Sequence, residues 1–389
     1  MTSFGLSDEH EQLRLTVAEF ARDAVAPVIG GFYERGEFPY EIVARMGKLG
    51  LFGLPFPEEY GGMGGDLFAL CLALHELARV DSSVAITLEA AVALGAMPIY
   101  RFGDAGQRSE WLPRLCEGER LAAFGLTEPG GGSDIPGGMR TTARLEDGEW
   151  VIDGSKAFIT NAGTSITSLV TALAITGSSG GRHEISAIIV PSGTSGFSVG
   201  PEYSKVGWCA SDTRELAFSS CRVPAANLLG QRGRGYAQFL QILDEGRIAI
   251  AALAAGLAEG CVDECVRYAG ERAAFGHQLG HYQDVQFKIA DMAARAHTAT
   301  LAWRDAAARL VAGEPVKKQA AIAKLTASNA AMDNARAATQ IFGGYGFMNE
   351  FPVARFYRDA KVLEIGEGTS EVQRMIIARE LRLGSGAGR

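Results

Sequence analysis

The chain has 389 residues, 47% hydrophobic and 21% charged, with 45 acidic against 37 basic side chains and a net charge of −8. Such a composition fits a soluble globular protein of two or three domains and argues against a nucleic-acid surface, which needs a basic stripe. No run approaches the roughly 18 apolar residues of a membrane span, so none is expected.

The opening residues, MTSFGLSDEHEQ, carry acids early and no apolar core, so they read as neither a secretory signal nor a transit peptide, and a cytoplasmic protein is expected. Ser7 can cap a helix with Asp8 and Glu9 in its first turn. Leu13, Val17, Phe20 and Ala24 recur on one face, and Pro27 is expected to end the run. EIVARMGKLGLFG reads as a second helix ending in glycine. DLFALCLALHELARV reads as a third, apolar nearly all round and therefore a core helix.

The texture changes near Leu121. Short segments rich in Thr, Val, Ile and Phe follow as far as about Leu229, with Asp147-Gly148 and Asp153-Gly154 as turn signals. SLVTALAIT, EISAIIV and TRELAFSSCRV read as strands. Beyond GQRGRGY the pattern is helical again, with one long helix from Gln238 and two or three more after it. The Ala-rich segment Ile248–Ala258 reads as a buried helix, and the chain ends in a small-residue tail, GSGAGR. The expected order is an N-terminal helical domain (1–120), a middle β domain (121–230) and a C-terminal helical bundle domain (231–389).

Several motif matches reduce to structure. The GSSGG of Gly177–Gly181 joins two strand-like runs, so it is a hairpin loop rather than a nucleophile elbow. His75-Glu76 lacks the second histidine of a zinc pair, and His277 and His281 sit among glycines in a surface loop. The six cysteines form no C-x-x-C pair, and Cys261 and Cys265 are four apart on a helix. Free buried thiols are expected, not disulfides or a metal site. No dinucleotide or P-loop fingerprint is present.

Four stretches resist that treatment. LTEPGGGSD (Leu126–Asp134) lets backbone approach a ligand and surrounds it with polar groups. KAFITNAG (Lys156–Gly163) follows an aromatic with Thr160 and Asn161, costly to bury unpaired. ERAAFGHQLGHYQ (Glu271–Gln283) closes the long helix with Arg272, a fork suited to phosphate. QIFGGYGF (Gln340–Phe347) precedes RDAKVLEIGEGTSEVQR, in which Glu367 stands alone between Gly366 and Gly368.

In content, order and spacing these stretches resemble the acyl-CoA dehydrogenase family over nearly the whole chain, closest in texture to its short-chain and short-branched-chain members. The resemblance implies a mainly α fold with a central β-barrel-like domain and a C-terminal four-helix bundle. It also implies FAD held without a Rossmann fold. The backbone around Leu126 and Thr127 would then contact the flavin, Phe158 would stack on it and Thr160 would lie near N5. Arg272, Phe275 and Gln283, with Gln340, Gly343 and Gly344 from a neighbouring subunit, would hold pyrophosphate and adenosine. Thr369 and Glu371 match further FAD contacts. Ser133, which also falls among the cofactor-binding positions, matches the CoA contacts together with Asp244 and Arg247, and Gly368 lies at the thioester.

Glu367 matches the catalytic base that removes the α-proton while the β-hydride passes to the flavin, giving a trans-2-enoyl-CoA. Electrons would pass to an electron-transfer flavoprotein from a homo-oligomer, expected to be a tetramer. Departures from the family are Gly366 for an aromatic residue, Phe158 for Trp and Cys209 for Arg. The rival readings are a flavin-dependent oxidase or monooxygenase on the same fold, and a catalytically silent helical interaction protein. Some members carry their base at the position of Gly246. Glu245 beside it should point elsewhere, because one helical residue turns a side chain by about 100°.

Overall fold

A computed structural model describes residues 6–383; the expected small-residue tail lies outside them. Seven helices come first: α1 (Asp8–Phe20), α2 (Ala26–Arg35), α3 (Tyr40–Lys48), α4 (Leu67–Ala78), α5 (Ser82–Glu89), α6 (Met97–Phe102) and α7 (Ala105–Cys116). Four of their starts carry side-chain caps. The Ser7 hydroxyl accepts from His10 N, Asp66 caps α4, Asp81 caps α5, and Asp104 with Gln107 forms a capping box on α7.

Pro27 does not end the first run. A π-helical turn, Ala21–Val25, carries the chain into α2, and Pro27 falls in the first turn of that helix. A proline costs little there, since the early N–H groups of a helix have no partner to lose. The run ends instead at Gly36, whose φ of 64° closes the helix in the left-handed region.

A sheet follows, built from β1 (Leu121–Gly125), β2 (Thr142–Glu146), β3 (Glu149–Thr160), β4 (Thr167–Ser179), β5 (Arg182–Pro191), β6 (Phe197–Glu202), β7 (Thr213–Pro224) and β8 (Leu228–Leu229), with the short helix α8 (Ile135–Gly138) between β1 and β2. The order is β6-β7-β3-β2-β4-β5-β8, and β1 pairs in parallel with β4. Asp147-Gly148 makes the expected β2–β3 turn. Asp153-Gly154 does not. It lies inside β3, where the register shifts between Ile152 and Gly154 and a Cβ on Gly154 would stand 2.6 Å from the Thr141 Cα. The glycine marks a close approach of backbones, not a reversal.

The last part contains α9 (Gly235–Glu271), the two-residue strands β9 (Ala273–Ala274) and β10 (His277–Gln278), and then α10 (Gln283–Val311), α11 (Lys317–Phe342), α12 (Pro352–Leu363) and α13 (Ser370–Glu380). Phe275-Gly276, both at positive φ, turn the β9–β10 hairpin. Helices α9, α10 and α11 pack on one another, and α4 lies against α9 and α10, so the N-terminal helices share the core of the bundle. All six cysteines are free, and all but Cys209 are buried.

The segment Ser82–Phe102 corrects the reading of apolar runs. It is long and apolar enough to cross a membrane, yet its most apolar window is 94% buried inside the fold. It is a core helix, and Glu89 lies within it at zero exposure.

The approach of α4 to α9 depends on two glycines one turn apart. A Cβ on Gly256 would lie 2.1 Å from the His75 carbonyl oxygen, and one on Gly260 would lie 2.2 Å from that of Arg79. Gly256→Ala should therefore cost about 1–3 kcal/mol through overpacking. Gly270→Ala, on the same helix with nothing within 4 Å of its Cβ position, should be neutral or stabilising by up to about 1 kcal/mol. Urea unfolding of the two variants tests the contrast.

Candidate active site

Helix α12 ends at Leu363, and α13 begins at Ser370 with Thr369 as its cap. The six residues between them form a turn that presents Glu367. Glu367 has φ 52° and Gly368 φ 91°. A non-glycine residue held in the left-handed region costs about 1–3 kcal/mol and persists only where its surroundings enforce it. Several bonds do so here. The Gly366 N–H donates to the Val362 carbonyl at 2.8 Å, and the Ser370 N–H to that of Glu364 at 3.0 Å. From below, Lys324 Nζ and Gln373 Nε2 donate to the Gly368 carbonyl at 2.9 and 2.8 Å, and Ser328 Oγ to that of Leu363 at 2.8 Å.

Both carboxyl oxygens of Glu367 are buried without a hydrogen-bond partner. Burial pushes the group up to about 7, against the opposing pull of Glu89, Lys324 and Arg247. Lys324 is pushed down to about 8 by the same burial, with Glu367 opposing. The carboxyl is buried, and the charges around it act on one another.

Gly246 faces this carboxylate. A Cβ there would lie 2.4 Å from Glu367 Oε2 and 3.3 Å from Leu94 Cδ2. Glu245 points elsewhere, to Arg101 at 3.0 Å. One residue along α9, about 100° of rotation, therefore separates the direction of Glu245 from that of Gly246, as helical geometry requires. Asp244 and Arg247 pair with each other, and Arg247, Arg379 and Asp134 all act on Tyr236. The exposed Ser133 adjoins Asp134 at this mouth.

A second region forms where β1 gives way to the glycine loop. The Ala157 N–H donates to the Thr127 carbonyl at 2.9 Å, which ties the loop to β3. Beneath it Lys156 Nζ meets Glu128 Oε1 at 2.7 Å, and that carboxylate also accepts the N–H of Arg140 (2.6 Å) and of Thr141 (3.1 Å). Burial acts to raise Glu128, but Lys156 and the N–H donors hold it below its ordinary value; burial pushes Lys156 down. Leu126 is buried, Thr127 and Thr160 are half-buried, and Phe158 is 65% exposed at φ 61°, against Tyr203.

A third region lies at the far end of α9. Arg272 is exposed, lies 5.6 Å over the Tyr345 ring, and pairs with no carboxylate among the described residues. Phe275 is 96% exposed, and Gln283, Gln340, Gly343 and Gly344 are exposed too. Arg272 thus lies beside the turn from Gly343 to Phe347 of its own chain. Thr369 is spent as the α13 cap, and Glu371 is exposed in the first turn of that helix.

Family models for the N-terminal, middle and C-terminal domains of acyl-CoA dehydrogenase match residues 7–119, 123–221 and 233–382. The chain belongs to the acyl-CoA dehydrogenase family. Members of this family are flavoprotein oxidoreductases. The chain is 46% identical to the "Probable acyl-CoA dehydrogenase YngJ" of Bacillus subtilis, over 97% of this chain and 99% of that protein. It is similar to the solved butyryl-CoA dehydrogenase of Megasphaera elsdenii, with TM-score 0.94 and 40% identity over 98% and 100% of the two chains. It is equally similar (TM-score 0.94, 40% identity, 98% and 99% covered) to a chain solved in work on the electron transferring flavoprotein of Acidaminococcus fermentans and flavin-based electron bifurcation.

An acyl-CoA dehydrogenase flavin fits the residues present. The strip from Leu126 to Thr160 offers backbone edges and one outward aromatic ring held at positive φ. The Arg272 patch offers an unpaired guanidinium beside an open glycine turn, suited to a diphosphate.

Sequence reasoning missed Glu89, Glu128, Lys156 and Lys324 as site residues. Two of them leave a mark in the sequence. Glu89 is the lone acid of a long apolar run, and Lys324 the lone charge on an alanine-rich helix face.

Lys156→Met should cost about 3 kcal/mol in unfolding free energy, the lower end for breaking a buried ion pair, because two N–H groups still hold Glu128. Adding Glu128→Gln should recover part of the loss, and a double-mutant cycle by thermal or urea unfolding measures it.

Proposed function

We propose that this chain is an FAD-dependent dehydrogenase of short or short-branched acyl-CoA thioesters, with Glu367 as the base that removes the α-proton. The observation that carries the reading is the Glu367 carboxyl: buried, without a hydrogen-bond partner, and pushed by burial to about 7. A general base is most effective when its pKa lies near the working pH. Here that is achieved by desolvation, with Lys324 and Arg247 keeping the ionised form accessible.

The chain's own residues divide the work. Glu367 takes the α-proton onto a carboxyl oxygen. Its backbone N–H, which makes no hydrogen bond among the described residues, is free to receive the thioester oxygen as negative charge develops there. The left-handed turn at Glu367 and Gly368 would present that N–H and the carboxylate to the substrate together. Asp244, Arg247 and Ser133 form the mouth through which the CoA portion extends. The strip at Leu126, Thr127, Phe158 and Thr160 would hold the flavin ring. The patch at Arg272, Phe275, Gln283, Gln340, Gly343 and Gly344, on a neighbouring copy, would hold its pyrophosphate and adenosine. FAD, when bound, supplies the acceptor for the β-hydride.

The preference for short acyl groups draws on the likeness to butyryl-CoA dehydrogenase. The electron-transfer flavoprotein as acceptor draws on the likeness to the Acidaminococcus chain. Association with other copies of the chain, proposed as a homotetramer, is supported in so far as large apolar side chains are left bare around the flavin patch, with Phe275 96% and Phe347 87% exposed.

Glu367→Gln should keep FAD and bind substrate but lose at least about a hundredfold in kcat, read as anaerobic flavin bleaching. Glu245→Gln should cost far less, and Glu367→Gly with Gly246→Glu should restore part of the rate. A Glu367→Gln enzyme that bleaches at the wild-type rate would refute the assignment. The wild-type rate should rise with pH through about 7 as Glu367 ionises. Arg272→Ala should lower FAD content from about one per chain, the stoichiometry of one pyrophosphate per guanidinium fork. Butyryl-, isobutyryl- or 2-methylbutyryl-CoA should bleach the flavin faster than palmitoyl-CoA, and a kcat/KM for palmitoyl-CoA above all three would refute the short-chain preference.

A further inference from the structure

Glu89 is fully buried at the end of α5, where the helix widens into the π-helical turn Ala90–Ala96. Neither of its carboxyl oxygens has a hydrogen-bond partner, and the same is true of Glu367. Leu94 of that turn and Glu367 Oε2 converge on the same point of α9, where a Cβ on Gly246 would meet both, and each carboxyl acts on the other's ionisation. A buried acid with nothing to bond costs stability, so a residue of this kind inside a 21-residue apolar stretch calls for an explanation.

We propose that Glu89 is a positioning residue for the base: it keeps the one proton that two carboxyl groups in this pocket share and directs it as a hydrogen bond to the ionised Glu367. The inference rests on the reading of Glu367 as the base.

Two buried carboxyl groups that act on one another resist ionising together. Which one keeps the proton is decided by the charges around each. Lys324 on α11 and Arg247 on α9 both act on Glu367 and favour its carboxylate. Glu89 is acted on by burial and by Glu367 alone, both of which favour its neutral form. Among the described residues Glu89 also acts on the Cys71 thiol of α4, itself pushed well up by burial. The asymmetry separates an acid from a base in a pair of identical side chains. A neutral Glu89 has one O–H to donate, and the Glu367 carboxylate is the acceptor before it. During the reaction the α-proton goes to Glu367, and Glu89 exchanges none with the substrate. Its contribution is to offset part of the desolvation of Glu367, so that the base stays ionised near neutral pH.

The test is the acid limb of kcat/KM against pH for butyryl-CoA, with FAD content as the control for folding. Glu89→Gln keeps a neutral donor, so its limb should stay within about half a pH unit of wild type. Glu89→Leu removes the donor, so its limb should move up by about one pH unit, with the rate recovered above it. A limb that drops by one unit or more in Glu89→Gln would mean that Glu89 is the charged member, and would overturn the proposal. So would an unchanged limb in Glu89→Leu. If Glu89→Leu fails to load FAD, infrared spectroscopy decides. The wild type at pH 8 should show a protonated buried carboxyl band that is absent from Glu89→Gln, and its absence from wild type would overturn the proposal. Failure of the base reading itself would appear separately, as undiminished bleaching by Glu367→Gln.

Discussion

The Asp359 carboxylate of α12 accepts three hydrogen bonds in the interior: from Tyr33 Oη at 2.6 Å, Ser82 Oγ at 2.7 Å and the Trp208 backbone N–H at 2.7 Å. Its donors come from α2, from the first turn of α5 and from the segment between β6 and β7, so one fully buried side chain joins parts of the chain more than 300 positions apart. Burial, with Asp81 nearby, pushes Asp359 up to about 6, and the three donors pull the other way. Arg355, one turn earlier on α12, approaches Asp81 at 3.4 Å. Removing one member of such a network strands the others in a medium that cannot solvate them, and so it acts as a unit. The turn that carries Glu367 begins five residues after Asp359, and its position follows from where this tie sets α12.

The base pocket works by the same physics with a different outcome. At Asp359 a buried carboxylate is satisfied by donors and serves as a fastener. At Glu367 no N–H among the described residues reaches either oxygen, and burial pushes the carboxyl up to about 7. The polar groups beneath the turn bond to its backbone instead: Lys324 and Gln373 to the Gly368 carbonyl, Ser328 to that of Leu363. The backbone is held rigidly so that the side chain can be left free to react. The glycine loop repeats the arrangement, since Lys156 and Glu128 are consumed underneath while Thr127 and Phe158 face outward.

Much of this was legible in the residues. The three-part order of helices, strands and helices followed from periodicity, and the place of Glu367 between two glycines from a local signature. The direction of Glu245 followed from helical geometry and is what the structure has. The misreadings share a cause. Pro27, Asp153-Gly154 and Ser82–Phe102 were judged by local rules. At each place long-range packing decides: a π-helical turn carries the chain past the proline, the Thr141 backbone pressed on Gly154 makes it a bulge, and surrounding helices bury the apolar run.

By itself the sequence determined what depends on neighbours a few residues apart: caps, turns at glycine pairs, the faces of helices and the signature stretches that place the chain in its family. Only the tertiary structure decided which distant groups meet. Glu89 and Glu367 are 278 positions apart, and nothing in either neighbourhood announces the other. Arg272 and Tyr345 share one patch of a single chain for the same reason. The ionisation of a carboxyl depends on the water, charges and donors that the folded chain brings around it. Those are set by the packing of α5, α9 and α11 about the 364–369 turn, not by the residues on either side of the acid.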